Sequence, residues 1–275
     1  MLTSLQKSDA LFPFRKVTDT LKKADIVFGN LENPIIKNCP IHNGGFTFCT
    51  TYQIADGLTF AGVDVVTLAN NHAGNYGQKG VEETAAYLKE NGILVTGMGE
   101  LAAKEVNGTV FGFLGFEYVF KPANPKHLEL VKKSDPLVDV LIVGVHWGDE
   151  YKSKANDLQR NLAREFIKNG ADVVVGHHPH WVQTIECFDM YQGVKGDPPS
   201  VWAVSATKEN DGCPPNSKPV YYSLGSFIFD QMWSEETKKG MVVRMTFEDG
   251  RFIKEEFTKT YIREKGQPEF TSDYK

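Results

Sequence analysis

The chain has 275 residues, enough to bury a large core, and its 41% hydrophobic and 24% charged content is typical of a globular protein. Thirty basic and 35 acidic residues give a net charge of −5 with no basic block, which argues against nucleic acid as a partner. No segment is long and apolar enough to cross a bilayer, and no signal peptide is recognised at the start.

Hydrophobic periodicity predicts an α/β chain in which helices alternate with strands. Helices are predicted at 14–23, 53–62, 80–91, 127–133 and 156–168, the last with Leu158, Leu162, Phe166 and Ile167 facing the core. Residues 241–247 and 252–262 flank Asp249-Gly250 and are predicted to pair as antiparallel strands. Residues 1–263 are predicted to form one domain with a Pro-, Gly- and Ser-rich surface insertion at 192–218, followed by a polar tail at 264–275.

Four segments begin with aspartate, continue through an apolar run and end on groups that bind metals or move protons. They start at Asp25, Asp64, Asp139 and Asp172 and end at Glu32, at Asn71-His72, at His146 and at the cluster His177-His178-Pro179-His180. Parallel strands aligned at their starts bring their carboxyl ends to one edge of a sheet, where α/β proteins bind ligands. We therefore expect these tips to meet, whereas the four aspartates lie at the far edge and suit turns.

Neutral imidazoles, a carboxylate and an asparagine carbonyl form a mixed nitrogen and oxygen set that suits manganese, iron or zinc. Two such ions close together can hold a hydroxide and the oxygens of a phosphate. Glu32 is the candidate for a bridging carboxylate, and His72 for a proton donor that is not itself a ligand. The alternative is a loop of solvated or hydrogen-bonded histidines without a metal.

Five stretches resemble, in order, the motifs of the CapA family, which serves capsule and poly-γ-glutamate biosynthesis within the calcineurin-like metallophosphoesterase superfamily. The stretches are Asn30-Leu31-Glu32-Asn33-Pro34, Ala69-Asn70-Asn71-His72, His146-Trp147-Gly148-Asp149-Glu150, Gly176-His177-His178-Pro179-His180 and the run from Tyr222 to Asp230. The resemblance implies an α/β fold with two mixed β-sheets in a sandwich flanked by helices. Residue pattern alone predicts only a mainly parallel α/β core.

The resemblance also implies roles for the individual residues. Glu32 corresponds to the bridging carboxylate and His72 to the general acid, while the metal ligands are Asn71, His146, His178 and His180. Two departures stand out: Ser226 replaces an asparagine, and nothing before Phe12 resembles the first strand of the family, which ends in Gly-Asp. Two explanations follow: the sequence lacks the first strand of the family, which we favour, or it is a variant that binds one metal or none. We expect two divalent ions in a complete site and one here.

The resemblance predicts a metal-dependent phosphoesterase-type hydrolase that uses a metal-bound hydroxide on a phosphate ester or an anionic polymer. Two alternatives stay open. One is a non-catalytic accessory subunit that binds the polymer or the synthase and export subunits, and the other is a hydrolase of the γ-glutamyl polymer. The family tends to be membrane-associated or extracytoplasmic, although this chain shows no segment of that kind.

Four cysteines bracket two short stretches of chain, Cys39 with Cys49 and Cys187 with Cys213. Their spacing matches no zinc ribbon, so two local disulfides or four unpaired thiols are the alternatives. Trp147 and Trp181 follow the metal-binding motifs, and both packing and a substrate cleft fit them.

Overall fold

The computed structural model describes residues 9–40, 45–191, 200–207, 212–264 and 266–274. Its helices are α1 (Thr18–Leu21), α2 (Gln53–Ala61), α3 (Gly77–Glu90), α4 (Pro125–Ser134) and α5 (Asp157–Lys168), with short 3₁₀ turns at Phe12–Phe14, Asp135–Leu137 and Glu236–Lys238. Its strands are β1 (Phe28–Asn30), β2 (Val65–Thr67), β3 (Leu94–Thr96), β4 (Ala102–Val106), β5 (Thr109–Glu117), β6 (Val140–His146), β7 (Val173–His177), β8 (Ile185–Tyr191), β9 (Ser200–Thr207), β10 (Lys218–Tyr221), β11 (Lys239–Glu248), β12 (Arg251–Glu264) and β13 (Gln267–Thr271). Within these ranges, no helix is long and apolar enough to span a membrane.

The strands form three sheets. β1, β2 and β3 pair in parallel, and a seven-stranded mixed sheet runs in the order β4-β5-β6-β7-β10-β8-β9 with β5, β6, β7 and β10 parallel. β11, β12 and β13 form an antiparallel sheet. Side chains from all three sheets, among them Val65, Phe113 and Phe252, share one buried cluster. The predicted sandwich is therefore present, with α4 and α5 against the large sheet and helices α1 to α3 against β1 to β3.

Two glycines let the sheets approach closely where the site forms. A Cβ at Gly115 of β5 would lie 2.3 Å from Thr67 Oγ1, and one at Gly144 of β6 would lie 2.8 Å from the Phe28 ring. Atoms that close would force the layers apart, so these strands need glycine. The expectation that all four polar tips share one sheet edge is wrong. Glu32 and Asn71-His72 follow strands of the parallel sheet, whereas His146 and the cluster at 177–180 end strands of the large sheet. The two pairs of tips meet across the sandwich.

Three of the four strand-initial aspartates act between strands. The Oδ2 atoms of Asp64, Asp139 and Asp172 each accept a 2.8 Å hydrogen bond from a backbone N–H where a neighbouring strand starts, at Val27, Val110 and Leu141 respectively. An unpaired N–H at the start of a sheet costs free energy, and a carboxylate acceptor removes that cost. The aspartates therefore align the strand starts, at the far edge from the candidate site, as the sequence predicted.

Most of the predicted helices are present, with two differences. Asn156 caps α5 through a reciprocal capping box with Gln159, as its position before an apolar-periodic run favours. Leu158 is 42% exposed rather than buried, because it lies in the first turn, outside the apolar stripe that continues through Leu162. The helix predicted at 14–23 is only the 3₁₀ turn followed by the short α1.

Two predictions about the second half of the chain are wrong. The insertion at 192–218 contains β9 at an edge of the large sheet and the first residue of β10, while residues 192–199 and 208–211 lie outside the described part. The tail at 264–275 contains β13, which pairs with β12 after a turn at Gly266. β13 is too polar for its pattern to predict a strand. β9 contains the apolar run Val201-Trp202-Ala203-Val204, a strand signal that was overlooked because it lies within a Pro-, Gly- and Ser-rich stretch. That residues 1–263 form one domain stays a prediction, as does the missing first strand, since residues 1–8 are not described.

All four cysteines are paired. Cys39 bonds to Cys49 and Cys187 bonds to Cys213, which decides between the alternatives left open by the sequence. Cys187 is fully buried in the cluster shared by the sheets, whereas Cys39–Cys49 closes a loop beside the candidate site. Each bond restricts the unfolded chain and so stabilises the fold.

Candidate metal centre

Glu32 follows β1 and is held in place by two asparagines. Asn30 Nδ2 donates to Glu32 Oε2 at 3.2 Å, and Asn70 Nδ2 donates to Asn30 Oδ1 at 3.1 Å and to Leu31 O at 2.9 Å. The side-chain oxygen Oδ1 of Asn70 accepts hydrogen bonds from the backbone N–H groups of His72 and Ala73 at 3.1 and 2.7 Å. One amide therefore joins the end of β1 to the turn after β2 and sets the position of the carboxylate.

His146 is the last residue of β6 and reaches across to the parallel sheet. Its Nε2 atom lies 2.9 Å from Asn71 Oδ1 and 3.5 Å from Glu32 Oε1, and the side chain is only 1% exposed. β6 delivers it there because all seven residues of the strand are buried between α-helices and the facing sheets. Residues 32, 71 and 146, distant in the chain, thus converge as the sequence predicted.

His178 completes a compact set of donors. Glu32, His146 and His178 each offer one ligand atom, and these atoms all lie within 4.8 Å of one another. The ring of His178 lies 4.9 Å from the ring of His146. Among the described residues, these three form the one cluster of acidic, histidine or cysteine side chains that is compact enough to hold an ion.

The backbone around His178 and His180 takes an unusual conformation. Their φ angles are +98° and +58°, a region that non-glycine residues rarely occupy. Such strain persists only where the surrounding structure fixes it, and it concentrates at functional sites. Here the backbone N–H of Tyr151 donates to Pro179 O at 2.8 Å and ties this turn to the loop after β6.

His180 and His177 lie at the margins of the set. The ring of His180 is 6.1 Å from that of His178 and stacks on Phe229 at 4.7 Å, so its nitrogens fall outside the compact group. His177 turns toward Phe28, with ring centroids 6.4 Å apart, and is not in the group either. The predicted metal ligands therefore divide into four that converge (Glu32, Asn71, His146 and His178) and one that lies beside them, His180.

The electrostatics of the group favour a cation. Burial raises the pKa of Glu32, but the surrounding imidazoles, His146 foremost, outweigh it and bring the pKa down to about 2. Burial lowers the pKa of His178 to about 4 and that of His177 to about 3. At neutral pH the carboxylate is ionised and these imidazoles are neutral, which is the state in which both types of group bind metals.

The chemistry of the donors fits a divalent ion. Nδ1 of His146 and Nδ1 of His178 are buried without a hydrogen-bond partner, although buried polar atoms are nearly always paired. Two neutral imidazoles, one carboxylate and one amide oxygen suit manganese, iron or zinc, whereas calcium prefers oxygen alone. In His146 it is Nε2, rather than the unpaired Nδ1, that faces Glu32 and Asn71, so an ion would be bound at Nε2. The chemistry of these donors fits the predicted cofactor.

His72 lies beside the metal-binding group, and its ring is oriented by Asn75. The sequence analysis did not identify Asn75 as a functional residue. Asn75 Nδ2 lies 3.3 Å from His72 Nδ1 and also donates to the carbonyls of Phe46 and Phe48, at 3.2 and 3.3 Å. Because carbonyl oxygens only accept, the amide nitrogen must face them, and Nδ1 of His72 is then the acceptor. The proton of the neutral ring resides on Nε2. Phe48 stacks on the same ring at 4.3 Å.

The two tryptophans and Ser226 also have defined places. Trp147 is fully buried and donates to Tyr222 O at 3.0 Å, so it packs rather than lining a cleft. Trp181 is half-buried, and its ring lies 6.4 Å from that of Tyr151. Ser226, the departure from the family motif, lies with its hydroxyl 3.4 Å from His180 O and supports the strained turn.

Solved structures of similar fold are known. A hypothetical protein from Thermus thermophilus aligns with a TM-score of 0.53 over 88% of this chain and 90% of its own, at 16% identity. A structure described as a novel phosphatase from Mycoplasma pneumoniae aligns with a TM-score of 0.52 over 90% and 88%, also at 16% identity. At this identity the similarity concerns the fold alone, and it confirms the predicted α/β fold.

Relatives of known family cover most of this chain. The capsule biosynthesis protein CapA of Bacillus anthracis is 31% identical over 268 residues, 86% of this chain and 58% of the relative. The PGA biosynthesis protein CapA of Bacillus subtilis (strain 168) is 28% identical over 265 residues, 88% of this chain and 62% of the relative. The chain thus spans about three fifths of the length of these relatives. The family described as bacterial capsule synthesis protein PGA_cap matches residues 2–231, and the chain belongs to that family.

Proposed function

We propose that this protein is a metal-dependent phosphoester hydrolase that acts in capsule or poly-γ-glutamate production. One observation carries the proposal: the half-buried Glu32 and the buried His146 and His178 bring donor atoms within 4.8 Å of one another at the carboxyl ends of three strands. Such donor sets, placed at that edge of an α/β sandwich, are suited to phosphate chemistry. Membership of the capsule synthesis family supports the biological setting.

Each residue has a distinct task in this proposal. Glu32, Asn71, His146 and His178 would hold one divalent ion (manganese, iron or zinc), and His180, which lies beside them, would contact the ion or the phosphate. When bound, such an ion would polarise a phosphate oxygen and lower the pKa of water toward about 7. Asn30 and Asn70 keep the carboxylate in position, and burial keeps the imidazole of His178 neutral.

His72 supplies the proton that the departing oxygen needs. Asn75 keeps Nδ1 of His72 as an acceptor, so Nε2 carries the proton. Stacking on Phe48 fixes the plane of the ring. A positioned general acid of this kind contributes about 10²- to 10⁴-fold to the rate.

A second candidate is a non-catalytic subunit that binds the acidic polymer or the synthase and export subunits. It is favoured by the single compact donor group among the described residues, where a complete phosphoesterase centre holds two ions. Hydrolysis of the γ-glutamyl polymer by the same centre is a variant of the first proposal. Chain-length analysis of the polymer after incubation distinguishes it from phosphate-ester chemistry.

The test is hydrolysis of bis(p-nitrophenyl) phosphate by the purified chain with Mn²⁺. We expect turnover that a chelator abolishes and that His72→Ala reduces about 10²-fold or more. His127→Ala is the matched control, since this half-buried histidine of α4 stacks on Phe116 and hydrogen-bonds to Tyr118, away from the donor group. Turnover unchanged in His72→Ala would refute the mechanism. Metal binding without any turnover would favour the accessory subunit.

A further inference from the structure

An exposed aromatic corner lies next to the metal-binding group. The rings of Tyr151 and Trp233 meet nearly at right angles, with centroids 4.9 Å apart and planes at 81°. The Tyr151 ring lies 6.0 Å from the ring of His180 and so connects the corner to the candidate site. Trp233 is 63% exposed, and an indole in that position contributes little to the core.

The corner is held in place before any ligand arrives. Oε1 of Gln231 accepts hydrogen bonds from the Tyr151 hydroxyl at 3.1 Å and from the Trp233 indole at 3.2 Å. The buried hydroxyl of Thr237 donates to Gln231 O at 2.9 Å and so anchors the loop that carries the side chains of Gln231 and Trp233. Tyr151 itself has a φ angle of +59°. An exposed tryptophan with a fixed orientation, at a strained site, has the features of a recognition residue.

The chemistry of the corner favours one kind of ligand. The face of an aromatic ring carries partial negative charge, so it attracts C–H groups that are polarised positively. Perpendicular rings leave no parallel slot for a planar base. Glu150 adds a carboxylate beside the Tyr151 hydroxyl. Burial, and then the charge of this carboxylate, raise the pKa of the hydroxyl. A carboxylate accepts hydrogen bonds from hydroxyl groups and repels a polyanion.

We propose that Tyr151, Trp233 and Glu150 form a subsite for the sugar ring of a phosphate ester. The ring packs its C–H face on the indole and donates a hydroxyl to Glu150, while its phosphate lies toward His180 and the metal-binding group. The position of the phosphate rests on the proposed phosphoester hydrolysis. Binding of the sugar ring does not, because the corner is formed by the protein alone.

Saturation-transfer NMR on the full chain tests the subsite without metal or turnover, with methyl β-D-glucopyranoside as the probe and adenosine as a planar comparison. We expect transfer to the C–H protons of the glycoside. Trp233→Ala should weaken glycoside binding about three- to tenfold, which corresponds to the loss of one aromatic contact. Trp233→Phe should retain part of the binding. Leu137→Ala is the control, because that side chain is 67% exposed just before β6 starts, at the opposite end of the strand from His146.

The outcomes separate this inference from the proposed function. Glycoside binding that Trp233→Ala weakens, in a protein without phosphoesterase activity, supports the subsite and refutes only the proposed hydrolysis. Absence of glycoside binding in the unmodified protein overturns the subsite even if aryl phosphate esters are hydrolysed. Binding that Trp233→Ala leaves unchanged, or a preference for adenosine, also overturns it.

Discussion

Replacement of His146 by alanine should remove most of the effect of Mn²⁺ on the thermal stability of the protein. The side chain is 1% exposed, and its Nε2 atom lies 2.9 Å from Asn71 Oδ1 and 3.5 Å from Glu32 Oε1. Alanine reduces the converging donors from four to three. It also leaves Asn71 Oδ1 without this partner, which costs about 1 to 3 kcal/mol in the metal-free protein.

The two effects can be separated by magnitude. At a Mn²⁺ concentration 100 times Kd, binding to the folded state adds about 2.7 kcal/mol to the free energy of unfolding. In a chain of this size that corresponds to a rise in Tm of about 5 to 10 °C. If the substitution weakens binding about 100-fold, the same concentration equals Kd and adds only about 0.4 kcal/mol. The expected rise is then about 1 to 2 °C.

The assay is thermal unfolding followed by circular dichroism, with Mn²⁺ and with a chelator, for both proteins. The difference between the two conditions isolates the metal from the packing cost. His127→Ala should lower Tm in both conditions and keep the full metal-dependent difference, because its ring contacts Phe116 and Tyr118 rather than the donor group. A metal-dependent rise in His146→Ala equal to that of the unmodified protein would refute the site.

Three further predictions concern the surroundings of the site and the fold. Asn75→Ala should lower kcat about tenfold or more by freeing His72 to adopt the wrong tautomer, with the Mn²⁺-dependent rise in Tm unchanged; loss of metal binding would contradict it. Asp139→Ala should destabilise the protein by about 0.5 to 1.5 kcal/mol in urea unfolding, because Val110 N–H exchanges its carboxylate acceptor for water, and an unchanged midpoint would count against the capping role. The metal-free protein should lose stability as pH falls from about 6.5 to 4, because unfolding lets His178 take up a proton that burial denies it in the fold; the loss is roughly 3 kcal/mol. His178→Asn, which tolerates the positive φ, should flatten this slope in urea titrations at several pH values, and an equal slope in both proteins would contradict the assignment.

The helices and parallel strands were largely predictable, because periodicity and end signals are local properties of the chain. The structure confirms the predicted end of α2 at Gly62 and the predicted start of α5 at Asn156, which caps that helix. The edge strand β13 was missed because its polar residues form a strand only by pairing with β12, whereas the apolar run in β9 was overlooked within a Pro-, Gly- and Ser-rich stretch. The 3₁₀ turn and short helix before β1 replaced a longer predicted helix.

Much of the candidate site was also predictable. Glu32, Asn71, His146 and His178 follow apolar strands, and strand ends gather at one side of an α/β sandwich. Asn75 lies three residues after His72, and a turn residue at that spacing was a signal that could have been used. The contact of Phe48 with His72 had no sequence signal, because a separate loop closed by a disulfide supplies it.

The sequence by itself determined which residue types stand at the ends of the strands and therefore the chemistry available to the site. It also displayed the repeated aspartates at the strand starts. Only the tertiary structure decided that two sheets rather than one deliver the donors, and that the aspartates cap neighbouring strands. The reason is physical: periodicity follows from local backbone geometry, whereas the approach of the sheets at Gly115 and Gly144 depends on contacts between distant parts of the chain.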